Sequence, residues 1–290
     1  WNMSRFVGIV WRFACACAII HLYYVFQVTS SEDEEVEMGS GRMFDTIAAH
    51  YDSINKMMSL GLDQTWRGKM VAALELQHED KVLDLATGTA DVAILVGQKI
   101  TELAKKSGNQ HCSNDGSCPA GKQQVVGIDP SANMLDNGRK KVTEKELDQV
   151  VTLQLGDAQD LKGLKSSSFD KVTMSFGIRN VPDQDAALSE IYRVVKKSEN
   201  SRVVIMEFHN PQKGVMAPMS RFFIQYITPV LGYFFSGSLD EYSHLQKSIM
   251  EFPDPDVWTE KMKAANLDVI KSEDIFFGIV YLHIAVPSAF

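Results

Sequence analysis

The 290-residue chain is 45% hydrophobic and 23% charged, which gives it the apolar material for one large α/β domain with a small appendage and excludes a disordered or fibrous protein. Its formal net charge of -8 lacks the dense Lys and Arg field that a phosphate backbone demands, so nucleic acid is excluded as the expected partner. Four cysteines in two close pairs, Cys15/Cys17 and Cys112/Cys118, are too few and too clustered for a disulfide framework and have no histidines at zinc spacing, which points to a reducing compartment, with a local disulfide as the alternative.

Residues 6–28 are almost continuously apolar or aromatic, interrupted by Arg12 and His21, and match the length of about 20 residues that spans a bilayer. They read as a signal anchor or the first part of an organelle-targeting sequence; the other reading is a fragment or a gene-model artefact, since residue 1 is Trp and Met3 offers a start. Residues 30–41, with Glu32, Asp33, Glu34, Glu35 and Glu37, read as a solvated linker. A mitochondrial presequence is rich in Arg and poor in acids, a pattern this stretch fits badly. The expected division is an N-terminal segment over 1–41 and one domain over 42–290.

Helical patterns over 45–58 and 64–76 precede the first strong strand, 81–85. Further strand patterns follow at 125–129, 150–155, 171–175 and 202–208, separated by helical stretches at 92–106, 132–142 and 184–197. This alternation predicts a doubly wound parallel sheet covered on both faces, with ligands at the carboxyl ends of the strands. Residues 107–124, rich in Gly, Asn and Ser, interrupt the rhythm and are expected to be a surface insertion. The apolar segment 215–235 lines an apolar tunnel, lies at a membrane surface or is ordinary core, and Pro218 and Pro229 argue against a single transmembrane span.

Chemistry concentrates at the predicted strand ends. The run Asp84-Leu85-Ala86-Thr87-Gly88-Thr89-Ala90-Asp91 leaves a buried strand through small residues that admit a ligand close to the backbone and opens a helix whose free N–H groups can meet an anion. Asp129 closes the next strand, where a carboxylate can accept both hydroxyls of a ribose; capping of the following helix is the alternative. Asp157 and Ala158 follow the third strand and could meet an adenine edge. Ser175-Phe176-Gly177-Ile178-Arg179-Asn180 follows the fourth, where Arg179 could hold a substrate oxyanion or steer a water, or simply pair with a carboxylate.

Taken in order, Phe44-Asp45, Tyr51-Asp52 with Asn55, Ser59-Leu60-Gly61, Trp66-Arg67, the Asp84 to Asp91 loop, Met134-Leu135, Gly138-Arg139, Phe176-Gly177-Ile178-Arg179-Asn180, Tyr192-Arg193-Val194, Glu207-Phe208 and Phe252-Pro253-Asp254 closely resemble the UbiE/MenG quinone C-methyltransferases over residues 43–286. The resemblance implies a Rossmann-like class I methyltransferase with a mostly parallel seven-stranded sheet. It also implies S-adenosylmethionine as methyl donor, no metal, and a polyprenylated benzoquinol or naphthoquinol as acceptor. By the same resemblance Thr89, Asp129, Asp157, Ala158 and Ser175 fall on cofactor-binding positions, joined by Asp84 and Gly88 of the first motif, while Arg179, Tyr51 and Asn55 fall on the substrate side. The chain departs from the family at Thr87 and Ala90, where many members have Gly, and at Lys197-Ser198-Glu199-Asn200, which replaces a Pro-Gly-Gly turn. These changes put the loop geometry in question.

The family's chemistry implies a membrane surface as a partner, with a quinone-biosynthesis complex or a second copy of the chain as further ones. The expected location is an organelle, the mitochondrial inner membrane first and a plastid or other membrane next. Two rival readings stand beside it: a methyltransferase of the same fold with another small acceptor, and a scaffold that keeps the pocket without turnover.

Overall fold

The computed structural model describes residues 61–107, 123–212, 217–222 and 240–288, together with Asp45, Ala48, Asp52, Asn55, Lys56 and Ser59. The N-terminal segment, all four cysteines, the insertion and most of 215–235 lie outside the described residues. In chain order the elements are α1 (Asp63–Ala73), β1 (Val82–Leu85), α2 (Asp91–Lys106), β2 (Val125–Asp129), α3 (Ala132–Glu144), β3 (Val151–Leu155), β4 (Lys171–Ser175), a 3-10 turn (Ile178–Asn180), α4 (Gln184–Val194), β5 (Arg202–Phe208), α5 (Ala217–Phe222), α6 (Asp240–Glu251), α7 (Pro255–Ala264), β6 (Leu267–Phe276) and β7 (Val280–Pro287).

Seven strands form one sheet in the order β3-β2-β1-β4-β5-β7-β6. The first five are parallel, and β7 runs antiparallel to both β5 and β6. β1 and β4 are short and almost wholly buried because their residues face packed helices on both sides, and their interior polar residues pair, Thr173 donating to Asp84. Along β1 and β5 successive side chains alternate between two cores: Val82, Val204 and Met206 join Trp66, Met70 and Ile100 on one face, and Leu83, Leu85, Val203 and Ile205 join Leu188, Ile191 and Trp258 on the other. Helices therefore cover both faces, as the alternating pattern predicts.

Helix α4 ends at Val194, three residues before the expected limit of 197. Val195 instead takes an extended conformation and bridges to Phe169 in parallel register, so a strand-type pairing competes successfully with the last helical turn. The two C-terminal strands have no counterpart in the element-by-element reading. No helix among the described residues is long and apolar enough to cross a membrane.

Candidate active site

Strand order reverses between β1 and β4, and at that point a cleft of about 680 Å³, open mouth included, runs along the carboxyl ends of β1 to β4. This is where a doubly wound sheet turns its strand-end backbone toward a ligand.

The loop after β1 is held from below. Asp84 is fully buried, and its carboxylate accepts hydrogen bonds from Thr87 Oγ1 (2.6 Å) and Thr173 Oγ1 (2.7 Å). Burial pushes its pKa up to about 6, against the two hydroxyl donors. Asp84 thus shapes the loop from beneath rather than lining the cleft, and Thr87, a departure from the family, supplies one of its two side-chain donors. Ala86, Gly88 and Ala90 all adopt left-handed backbone, with φ of 49°, 56° and 67°. For an alanine that conformation costs about 1–2 kcal/mol, and strain of this kind gathers at ligand-facing turns.

Asp129 ties two strand ends together. Its Oδ2 accepts from the Gly88 N–H and its Oδ1 from the Ser131 N–H, both at 2.8 Å, while burial raises its pKa against those two bonds. Gly88, Asp129, Asp157, Ala158 and Ser175 all line the cleft. Asp157 is fixed by Gln159, whose backbone N–H and side-chain amide both donate to it. Ser175 Oγ is buried with no hydrogen-bond partner among the described residues, an arrangement that leaves a polar atom to be satisfied by a ligand.

Thr89 is placed differently. It is buried outside the cleft lining, and its hydroxyl donates to Asp52 (2.6 Å) while accepting from Lys141 Nζ (3.0 Å). Lys141 also contacts Asp52 and Asp91. Asp45 accepts from Ser131 Oγ (2.5 Å) and the Asn133 N–H (3.1 Å). Thr89 before α2, and Ser131 and Lys141 at the two ends of α3, thus hold Asp45 and Asp52 beside the cleft.

Arg179 lies in the 3-10 turn beyond the cleft-lining Phe176 and Gly177, while its neighbour Asn180 lines the cleft. Its Nη1 donates to Glu207 Oε1 (2.6 Å) and to the Phe176 carbonyl (2.8 Å), and its Nε donates to Ser248 Oγ (3.3 Å). The guanidinium carbon lies 5.3 Å from the Phe208 ring centre. Glu207 is fully buried, so desolvation raises its pKa while Arg179 opposes the rise. The carboxylate partner is the plainer of the two readings of Arg179 from sequence, and it is present. Asn55 is helical and half-buried; Tyr51 lies outside the described residues. In the sequence Glu207 stands out only as part of the Glu207-Phe208 motif, although it carries the same signal as Asp129, an acid at the carboxyl end of a buried strand.

The sheet order, the strained loop after β1 and the acid closing β2 define a class I S-adenosylmethionine-dependent methyltransferase. A solved S-adenosylmethionine-dependent methyltransferase from Thermotoga maritima, 15% identical, has this fold at a TM-score of 0.53 over 85% of this chain and 99% of that one. The model of the ubiE/COQ5 methyltransferase family matches residues 29–287, and the chain belongs to that family. It is 32% identical over 241 residues to a ubiquinone/menaquinone biosynthesis C-methyltransferase of Geotalea daltonii, covering 83% of this chain and 93% of that protein. A demethylmenaquinone methyltransferase of Bacteroides fragilis is 31% identical over 254 residues, covering 88% of this chain and 93% of that protein.

Proposed function

We propose that this protein transfers the methyl group of S-adenosylmethionine to a ring carbon of a polyprenylated quinol in ubiquinone or menaquinone biosynthesis. The observation that carries the proposal is the cleft itself. Asp129, Asp157, Ala158 and the Ser175 hydroxyl, which has no partner among the described residues, line it, with open space over Gly88; in this reading Asp129 takes the ribose hydroxyls and Asp157 and Ala158 the adenine edge. These donors and acceptors fit a nucleoside with a polar amino-acid tail. When bound, the sulfonium supplies an electrophilic methyl group, so the chain has to orient a carbon nucleophile and keep water away.

Arg179 provides the charge that this acceptor needs. A quinol carbon becomes nucleophilic as a neighbouring hydroxyl loses its proton, and a guanidinium stabilises the resulting oxyanion directly or through a water. Tyr51 and Asn55 close the substrate side in this reading. The location we propose is peripheral, at an organelle membrane and first of all the mitochondrial inner membrane, where a polyprenyl tail is soluble. A quinone-biosynthesis complex or a second copy of the chain is a partner consistent with that site.

Expression of the full chain in a bacterium lacking its own quinone C-methyltransferase, followed by mass spectrometry of extracted quinones, tests the reading. Restored ubiquinone or menaquinone supports it and identifies the ring. Accumulated demethyl precursor, with the protein folded and binding S-adenosylmethionine, overturns it in favour of another acceptor.

A further inference from the structure

The buried pair behind the cleft points to a role that the reaction chemistry by itself does not require. Glu207 is wholly removed from solvent, and its carboxylate accepts from three donors: Arg179 Nη1 (2.6 Å), the Arg179 backbone N–H (3.3 Å) and the Phe208 N–H (2.7 Å). Two of the three come from one residue, so the carboxylate grips both the backbone and the side chain of Arg179. Ser248, on α6, accepts from Nε and donates onward to the Leu245 carbonyl at 3.0 Å. The Phe176 carbonyl takes the second hydrogen bond from Nη1, and the Phe208 ring lies across the guanidinium. Nη2 donates no hydrogen bond among the described residues.

Stability alone gives little reason for this construction. A buried ion pair contributes about as much as apolar residues of the same volume, because desolvation offsets the attraction. What the arrangement does deliver is direction. A planar fork with five N–H groups, held at Nε, Nη1 and the backbone, has its plane and its remaining edge fixed. The strand end and the 3-10 turn that carry this fork also supply cleft-lining Phe176, Gly177 and Asn180.

We infer that Glu207 and Ser248 are positioning residues that fix the Arg179 guanidinium for the acceptor oxyanion. The inference rests on the proposed role of Arg179. It does not make Glu207 a base: the proton of the acceptor hydroxyl leaves through water, and Glu207 never meets the substrate.

The test uses the full chain, S-adenosylmethionine and a short-tailed demethylmenaquinol kept reduced, with kcat, KM and S-adenosylmethionine affinity measured for Glu207→Gln, Ser248→Ala, Arg179→Ala and the double variant Arg179→Ala/Glu207→Gln. Loosening a reacting group by about 1 Å costs on the order of 10²-fold in rate. Glu207→Gln is therefore expected to lose kcat on that scale with unchanged affinity for S-adenosylmethionine, and Ser248→Ala to lose less. The double variant is expected to be no slower than Arg179→Ala, because Glu207 has nothing left to position. Should Glu207→Gln fail to fold, Ser248→Ala and the double variant, which leaves no unpaired buried charge, decide the matter. Multiplicative losses in the double variant, or wild-type kcat in folded Glu207→Gln or Ser248→Ala, overturn the inference. Wild-type kcat in Arg179→Ala overturns the underlying role of Arg179 instead.

Discussion

Gly88 and Gly177 stand on two walls of the cleft and respond to an added Cβ in opposite ways. At Gly88, with φ of 56°, a Cβ meets nothing within 4 Å and projects into open space. Gly88→Ala should cost about 1–2 kcal/mol from the left-handed backbone and chiefly weaken S-adenosylmethionine binding, with the fold retained. At Gly177 a Cβ would stand 2.3 Å from the Ala86 Cβ. Ala86 and Phe176 are both left-handed there, so neither loop has an easy way to retreat. Gly177→Ala should destabilise the protein by about 1–3 kcal/mol, seen as a lower urea midpoint before any ligand is added. If the two variants lost midpoint and affinity in the same proportion, the distinction between an open wall and a packed one would fail. Sequence shows small residues at both places but not which faces ligand and which faces protein. That difference comes from β1 and β4 being neighbours in the sheet, a long-range fact.

Among the elements, the loop from β2 into α3 carries the most consequence. Ser131 caps the helix by accepting from the Met134 N–H (3.2 Å) and also donates to Asp45, so one hydroxyl serves the helix and Asp45 together. Ser131→Ala should cost about 1 kcal/mol as a lost cap and also weaken S-adenosylmethionine binding, since without the cap and the Asp45 bond the turn that holds the Ser131 backbone N–H against Asp129 is less firmly placed. Calorimetric melting with and without S-adenosylmethionine measures both effects; an unchanged ligand-induced shift would show the Ser131–Asp45 contact and the cleft to be uncoupled. β2, β4 and β5 were legible to the residue, since β2 and β5 read as bounded apolar runs and β4 as a short Val-Thr-Met stretch between polar ends. β6 was not, because it is an edge strand. Asp268, Lys271, Ser272 and Asp274 are exposed along it, and β-bulges shift its register twice. β7 reads as apolar as β5, but nothing local says that it inserts antiparallel between β5 and β6. Of the site, Asp129, Asp157, Ala158 and Ser175 were legible as strand-end residues. The buried placement of Asp84 and Thr89 was not, because it depends on Thr173 and Lys141 from elements far along the chain.

Over the whole molecule, the antiparallel addition to the sheet is sealed by a chain of neutral imidazoles whose direction can be read off. His209 Nδ1 faces the Pro253 carbonyl at 2.8 Å and must carry the proton. Its Nε2 then accepts from His283 Nε2 at 3.0 Å, and His283 Nδ1 accepts from the Ser272 hydroxyl at 3.1 Å. The chain joins β6, β7, the end of β5 and the entry to α7, so it couples all the C-terminal strands to the parallel sheet. Both rings are fully buried, and desolvation lowers their pKa values to about 4 for His209 and about 3 for His283, from 6.5. A depressed folded-state pKa means that the unfolded chain takes up protons first as pH falls. Stability is therefore retained above pH 6.5 and drains away as the pH falls from there toward 4 and 3. Asp84, raised to about 6, has the opposite sign: acidification from pH 6 toward 3.8 favours the folded state there and partly masks the loss. The histidine contribution is isolated by comparing the wild type with His283→Gln in urea unfolding at pH 7 and pH 5. Removing one ring should shrink the loss between those two pH values by about 2 kcal/mol, the linkage expected for a group that protonates only in the unfolded chain over that interval. Equal acid sensitivity in the two proteins would mean that His283 protonates in the folded state, and that the imidazole chain does not run in the direction derived from Pro253.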